Sequence, residues 1–385
     1  MEQKTPAAVT AQYTEKEAFP HPFYSAEDSI LAEKLPALRF LEDSVKELPA
    51  ECMDIVSVYQ PDDTFGFLHE AAIIEYHGVL YASWYNCPQT ELHGYTPICE
   101  KRSYDGGKTW SELRIVCEDP TGKILYCPPV YAIDNDRLYM LVNQMVAPDH
   151  MHALDLYVLD PETDRFTLLW SRPIPFKLNT NAVKLPNGKW MLPGWVAEPD
   201  AFPNTPAVLL SDSGKIDCEW RLVRIAPNGD LPDGSSLVHP EITVICAENV
   251  LFMFCRDDDR RVPLVYVSED FGETWSMVCS HDIPYVSSKI YTGTLSDGQH
   301  YLAANIDEWN RSRLAVYFSK PGKIAFDRRM ILFDGSLPDV PGTTASHYPA
   351  AWEANGKLYV IATLNYESFV RRGAVLYRID LEEIR

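Results

Sequence analysis

Positive charge is scarce in this chain. Its 385 residues carry 34 Lys and Arg against 55 Asp and Glu, a formal net charge of -21 at pH 7. Nucleic acid demands a basic surface, so this balance argues against such a partner, and more weakly against an anionic membrane surface. An anionic ligand would need a local basic pocket. Long apolar runs are missing as well: nothing approaches the roughly 18 residues of a helical membrane span. The first twenty residues, "MEQKTPAAVTAQYTEKEAFP", lack an apolar core of the secretory kind. The nine cysteines are odd in number and include no CxxC pair. Free thiols in a reducing compartment, and hence the cytoplasm, are the expectation. No P-loop, GxGxxG or Ser-His-Asp signature stands out, and no cofactor is expected. "DHMH" (149–152) has His-x-His spacing, but scattered loop histidines are commoner than a zinc site, and no metal is expected. Helix-period segments are absent too, apart from a short helix expected within 26–47.

What the chain does have is repetition. Six segments read as strand, tight turn, strand, among them "HEAAIIEYHGVLYASWY" and "HYPAAWEANGKLYVIAT". Their turns centre on Gly78, Asp136, Gly188, Asn249, Gly298 and Gly356, at spacings of 49 to 61 residues. The turn dipeptides mostly supply the φ > 0 residues that two-residue hairpins need, and the flanks are rich in β-branched and aromatic residues. Two strands per unit, with room for two more, predict an all-β fold: a six-bladed β-propeller of four-stranded antiparallel blades. An irregular β-sandwich is the rival. Residues 1–52 read as an N-terminal arm and 53–385 as the propeller. "MDIVSVYQ" (53–60) and "AVLYRIDL" (374–381) would share the last blade and close the ring. "RSYDGGKTW" (102–110) and "SEDFGETW" (268–275) share the pattern Ser-x-Asp-x-Gly-x-Thr-Trp. These turns fall between third and fourth strands, and their polar side chains suit capping of turn N–H groups.

In a propeller the first strand of each blade lines the channel, so one face collects every strand start beside the end of the second strand. The starts are His69-Glu70, Cys127-Pro128, Asn179-Thr180, Pro240-Glu241, Lys289-Ile290 and His347-Tyr348. The matching ends carry Trp84-Tyr85-Asn86, Asn143-Gln144, Trp195, Arg256-Asp257, Asn305 with Asp307, and Asn365-Tyr366. Ionisable groups converging on one concave place mark a candidate site. Trp84, Tyr85, Trp195 and Tyr366 are candidate walls for sugar rings, and Lys289, His347 and Asn305 candidate ligand contacts. The charge-dense "RDDDRR" (256–261) reads, past Arg256, as a solvated loop.

The Ser-x-Asp-x-Gly-x-Thr-Trp turns resemble the Asp-boxes of the sialidase (neuraminidase) superfamily of six-bladed propellers, over roughly residues 60–380. That resemblance implies an acid-sugar hydrolase and a residue set. Tyr348 would be the nucleophile, Glu241 the group that takes its proton, and Arg256 with Arg311 the grip on a substrate carboxylate; Arg313 is the alternative to Arg311. A neutral Tyr avoids repulsion by the substrate's carboxylate, and a phenol of pKa about 10 needs a base. Two positions depart from the family. His69 stands where the first blade should open with Arg, and the loop "YNCPQTELHGY" offers only Glu91 and His93 where the acid/base Asp belongs. Glu70 could serve as acid or hold His69. Three readings stay open: a hydrolase releasing a terminal acidic sugar, a glycosidase or lyase on uronate-linked glycans using His69, and a non-catalytic glycan-binding propeller.

Overall fold

The computed structural model describes residues 14–17, 37–198, 201–225, 237–258, 263–275, 279–307, 310–337 and 340–384. Six small sheets form the blades of a propeller. Blade 1 is built from Phe67–Tyr76, Val79–Cys87, Ile98–Ser103 and Arg114–Cys117, and blade 2 from Leu125–Asp134, Arg137–Ala147, His150–Asp160 and Arg165–Arg172. Blade 3 runs through Phe176–Leu178, Trp190–Glu198, Ala201–Ser211 and Trp220–Arg224, and blade 4 through Ile242–Ala247, Val250–Cys255, Leu264–Ser268 and Cys279–His281. Blade 5 holds Tyr291–Thr294, His300–Asn305, Arg313–Ser319 and Phe326–Asp334. Blade 6 joins Thr343–Ala354, Lys357–Tyr366 and Ser368–Asp380 to Met53–Tyr59, so a strand from before blade 1 is the outer strand of the last blade. That pairing closes the ring with hydrogen bonds between distant parts of the chain.

The first hairpin of each blade follows from its turn residues. His77-Gly78, Asn135-Asp136, Glu248-Asn249 and Asn355-Gly356 all have positive φ at both positions, as two-residue turns matched to strand twist require. Blades 3 and 5 use a longer loop in which Gly188 and Gly298 alone take positive φ. The Asp-box turns lie at this same end of the blades. Asp105 accepts hydrogen bonds from the N–H groups of Lys108 and Thr109 at 3.0 and 2.9 Å and from the Thr109 hydroxyl at 2.6 Å. Asp270 repeats this with Thr274, at 2.8 and 2.6 Å. Gly107 is needed twice over: its φ is +83°, and a Cβ there would sit 2.7 Å from the Leu376 side chain.

Over residues 37–47 the arm is extended and not helical. Ala37–Leu38 and Leu41–Glu47 are strands, running parallel to the outer strands of blades 4 and 5. An outer strand leaves a row of unpaired backbone groups, and an added strand satisfies them. Phe40, 1% exposed, anchors this segment against Phe252, Phe254 and His281. Residues 26–36 lie outside the described residues. All nine cysteines are free thiols.

The apolar core lies between neighbouring blades, and the channel waist is closed by polar staples. The Asn181 carboxamide accepts from the Tyr131 N–H at 2.9 Å and donates to the Ile73 carbonyl at 3.2 Å, linking blades 1, 2 and 3. Asn179 accepts from the Ile242 N–H at 2.9 Å, linking blades 3 and 4. Above this waist, at the end away from the Asp-boxes, the channel opens.

Candidate active site

Two innermost strands break their ladder at this mouth. The pairing of blade 1 is interrupted between His69 and Ala72, and that of blade 6 between His347 and Ala350. Inside these bulges Glu70 and Tyr348 have φ of 49° and 55°. Left-handed backbone costs a non-glycine residue about 1–3 kcal/mol and persists where the surroundings enforce it, typically at functional sites. Both side chains face a cavity of about 320 Å³. His69, Glu91, Asp149, Lys177, Trp195, His239, Glu241, Arg256, Arg311 and Arg372 line it with them.

Arg256 is the hub. Its Nη1 donates to Glu241 Oε2 at 2.7 Å and also to the hydroxyl of Tyr348. Its Nε donates to Asp258 Oδ1 at 2.6 Å. Tyr348 and Glu241 thus share one nitrogen, so a proton leaving the phenol has a carboxylate next door. Burial alone would push the Glu241 carboxyl up, but Arg256 and, further off, Lys289 hold it below the usual range. Burial also disfavours the Arg256 cation, and Tyr348, Glu241 and Asp258 more than restore it. The Tyr348 phenol is raised far above its ordinary value by burial, with Arg256 opposing. Arg311 covers the Tyr348 ring at 5.1 Å and is held there by two hydrogen bonds to the Ser287 carbonyl, at 3.3 and 2.9 Å.

Around this hub the remaining charges are paired. Lys289 Nζ donates to Glu70 at 3.0 Å, and Lys177 Nζ to Asp149 at 3.1 Å. Glu91 accepts from the Tyr85 hydroxyl at 2.8 Å and lies 4.0 Å from Arg372. Arg372, 1% exposed, stacks on Phe67 at 4.4 Å, and burial lowers its pKa. His69 is fully enclosed: its Nδ1 is 2.9 Å from Thr363 Oγ1 and its ring 4.1 Å from that of Tyr348. Burial, then the positive charge of Arg372 and Arg311, pushes it well below the usual histidine range and favours the neutral imidazole.

Of the residues singled out from sequence, Tyr348, Glu241, Arg256, Arg311, His69, Glu70, Glu91 and Trp195 meet in the cavity. The others do not line it. Lys289 stands behind Glu70, and Tyr85 beneath Glu91. His347 sits behind His69, with Nε2 3.0 Å from Asn365 Oδ1. Asn305 is structural, donating to the Ser346 carbonyl at 2.8 Å. Trp84 is packed into the core near Tyr59, its Nε1 on Asn86 at 2.7 Å. Tyr366 packs against the same core cluster. The reason is strand alternation: neighbouring side chains go to opposite faces, so residues adjacent at a strand end cannot all reach the channel. Trp195 does reach it, but Lys177 lies 5.2 Å over its ring and His239 meets it at 5.7 Å, so its face is not an open stacking wall. Arg313 is outside, 3.5 Å from Asp334, and His93 is not in the lining.

Arg372, Lys177, Asp149, His239 and Asp258 escaped the sequence reading. Arg372 lies in the first part of the third strand of blade 6, opposite Asn365, and third-strand starts share the site face with second-strand ends. Lys177 was hidden because the first strand of blade 3 breaks at 179–182, which displaces its start relative to the turn. Asp258, read as part of a solvated loop, is 14% exposed at its side chain and bonded to Arg256, His239 and Ser287.

Comparisons with known proteins agree with this architecture. The chain superposes on a Trypanosoma rangeli sialidase in complex with the inhibitor DANA, with a TM-score of 0.64 at 16% identity, over 86% of this chain and 60% of that one. A Hadza microbial sialidase gives 0.64 at 14% identity, over 83% and 67%. A mutant NanB sialidase from Streptococcus pneumoniae gives 0.58 at 13% identity, over 85% and 70%. The chain thus spans about 60% of the length of the trypanosomal enzyme. No curated protein sequence matches. A family model described as a BNR repeat-like domain matches residues 78–360, well over half of the chain; with the six-bladed fold beneath it, the chain belongs to that family.

Proposed function

We propose that this protein is a glycosidase that releases a terminal acidic sugar, using Tyr348 as nucleophile. The observation that carries this is the pairing of Tyr348 and Glu241 on one nitrogen of Arg256, at the mouth of a propeller channel. Tyr348 attacks the anomeric carbon and passes its proton to Glu241. Arg256, bonded to the phenolic oxygen, stabilises the negative charge that develops there. Arg311 flanks the reacting oxygen, and its fork suits a substrate carboxylate. Two features support an anionic substrate: three guanidinium groups line one cavity of a chain with net charge -21, and the sialidases that share the fold include one solved with sialic acid.

The test is turnover of a panel of acidic glycosides, sialosides and uronosides, by the unmodified protein and by Tyr348→Phe and Glu241→Gln. Loss of turnover in both variants is expected. Unchanged turnover would refute the assignment. Product mass separates this reading from a lyase using His69, because hydrolysis adds water and elimination leaves an unsaturated sugar. A protein that binds an acidic sugar but cleaves none would be a glycan-binding module instead.

A further inference from the structure

Hydrolysis by this route needs a proton delivered to the leaving oxygen. Among the described residues, the four carboxylates that line the cavity are all in ion pairs: Glu70 with Lys289 at 3.0 Å, Asp149 with Lys177 at 3.1 Å, Glu241 with Arg256 at 2.7 Å, and Glu91 with Arg372 at 4.0 Å. A carboxylate already engaged by a cation is poorly placed to hand a proton to a leaving group. Two imidazoles also line the cavity. His69 is buried among positive groups and neutral.

His239 is placed differently. Its side chain is 42% exposed, and two carboxylates face it. Nδ1 is 2.5 Å from Asp258 Oδ2, and Nε2 is 3.7 Å from Asp149. Asp258 is itself fixed by Arg256 and by the Ser287 hydroxyl. A carboxylate anchored on Nδ1 orients an imidazole and leaves Nε2 facing the cavity for proton transfer. Trp195 meets the ring at 5.7 Å and limits its rotation. The charged groups around it, among the described residues, are Asp258, Asp149, Lys177 across the Trp195 face, and Arg256 through Asp258.

We infer that His239, positioned by Asp258, is the general acid and base of the reaction. This rests on the glycosidase reading above. In the first half, the bond from Tyr348 Oη to the anomeric carbon forms and the glycosidic C–O bond breaks. The Tyr348 proton goes to Glu241, and the Nε2 proton of the His239 imidazolium goes to the leaving oxygen. In the second half, neutral His239 takes a proton from water, whose oxygen attacks the anomeric carbon. Tyr348 leaves and recovers its proton from Glu241. The sum is one water consumed and one glycosidic bond cleaved.

The test compares two glycosides of the acidic sugar the protein releases: the 4-nitrophenyl glycoside, whose leaving group departs unprotonated, and a galactose-linked disaccharide, whose leaving group does not. His239→Asn and His239→Gln are each expected to lose roughly a hundred- to ten-thousand-fold in kcat/KM on the disaccharide and less than about tenfold on the nitrophenyl glycoside. In the unmodified protein, a basic limb in the pH profile should appear with the disaccharide and not with the nitrophenyl glycoside, a readout that needs no variant. Equal losses on both substrates, no loss, or a leaving-group-selective loss in Glu91→Gln instead would overturn the role of His239 and leave the glycosidase reading standing. Full activity of Tyr348→Phe on both substrates, or no cleavage of any acidic glycoside by the unmodified protein, would take down that reading and this inference with it.

Discussion

Replacing Arg256 with Met is the sharpest test of the hub. The change removes the cation 2.7 Å from Glu241, a carboxylate in a residue only 6% exposed. Among the described residues, the cations left near Glu241, Lys289 and Lys177, are already bonded to Glu70 and Asp149. Breaking a buried pair by removing one partner costs about 3–5 kcal/mol. The double variant Arg256→Met/Glu241→Gln removes the stranded charge as well and should recover at least about 2 kcal/mol of that loss. The dependence on pH has a definite sign. In the unmodified protein Glu241 is held below its unfolded value, so its contribution is present above pH ~4.3 and is lost as pH falls through the lower folded value. Without Arg256, burial pushes Glu241 upward, and its contribution is present at low pH and lost as pH rises. The stability gap between the two proteins should therefore widen from pH 4 to pH 7. Urea unfolding followed by tryptophan fluorescence at several pH values measures both quantities. Single effects that add to within about 0.5 kcal/mol, with a gap that does not change with pH, would refute the picture of a coupled buried pair.

Gly107→Ala meets both a left-handed backbone and the Leu376 side chain at 2.7 Å, whereas Gly78→Ala, at φ +81°, meets nothing within 4 Å; the first should cost about 2–4 kcal/mol and the second about 1, read from urea midpoints. Trp84→Ala should cost about 3–5 kcal/mol of stability while the folded fraction keeps its KM. Trp195→Ala, by contrast, should raise KM, because it removes the surface that places Lys177 and His239. His69 should show no ring titration by NMR between pH 5.5 and 8, since burial keeps it neutral; because the unfolded chain takes up that proton below pH ~6.5, stability falls as pH drops through that value.

How much was legible depends on the range of each interaction. Asn135-Asp136 and Asn355-Gly356 announce their hairpins because a two-residue turn is decided by its own φ preferences. Asp105 and Asp270 announce their boxes because the bonds they make lie within four residues. Glu241, Arg256 and Tyr348 were found because a blade start and a strand end can be counted from a turn. That count fails where a strand is irregular, as before Asn179, which hid Lys177. It fails again where the contributing strand is not one of the two nearest the turn, which hid Arg372. It also cannot tell one side of a strand from the other, which sent Trp84 to the wrong place. Over 37–47 the local expectation of a helix gave way to a distant pairing: blades 4 and 5 offered open edges, and these residues paired with them.

By itself, then, the sequence determined the blade, its repeat number and the chemistry available at each strand start, since turn conformation and strand alternation are settled within a few residues. Only the tertiary structure decided which of those groups face one another. Arg256 joins Glu241, fifteen residues away, to Tyr348, ninety-two residues away, and Asp258 reaches back nineteen residues to His239. The hairpin of blade 4 brings Glu241 beside Arg256 and His239 beside Asp258, but Tyr348 reaches them only because blade 6, completed by Met53–Tyr59, comes round to the same channel mouth.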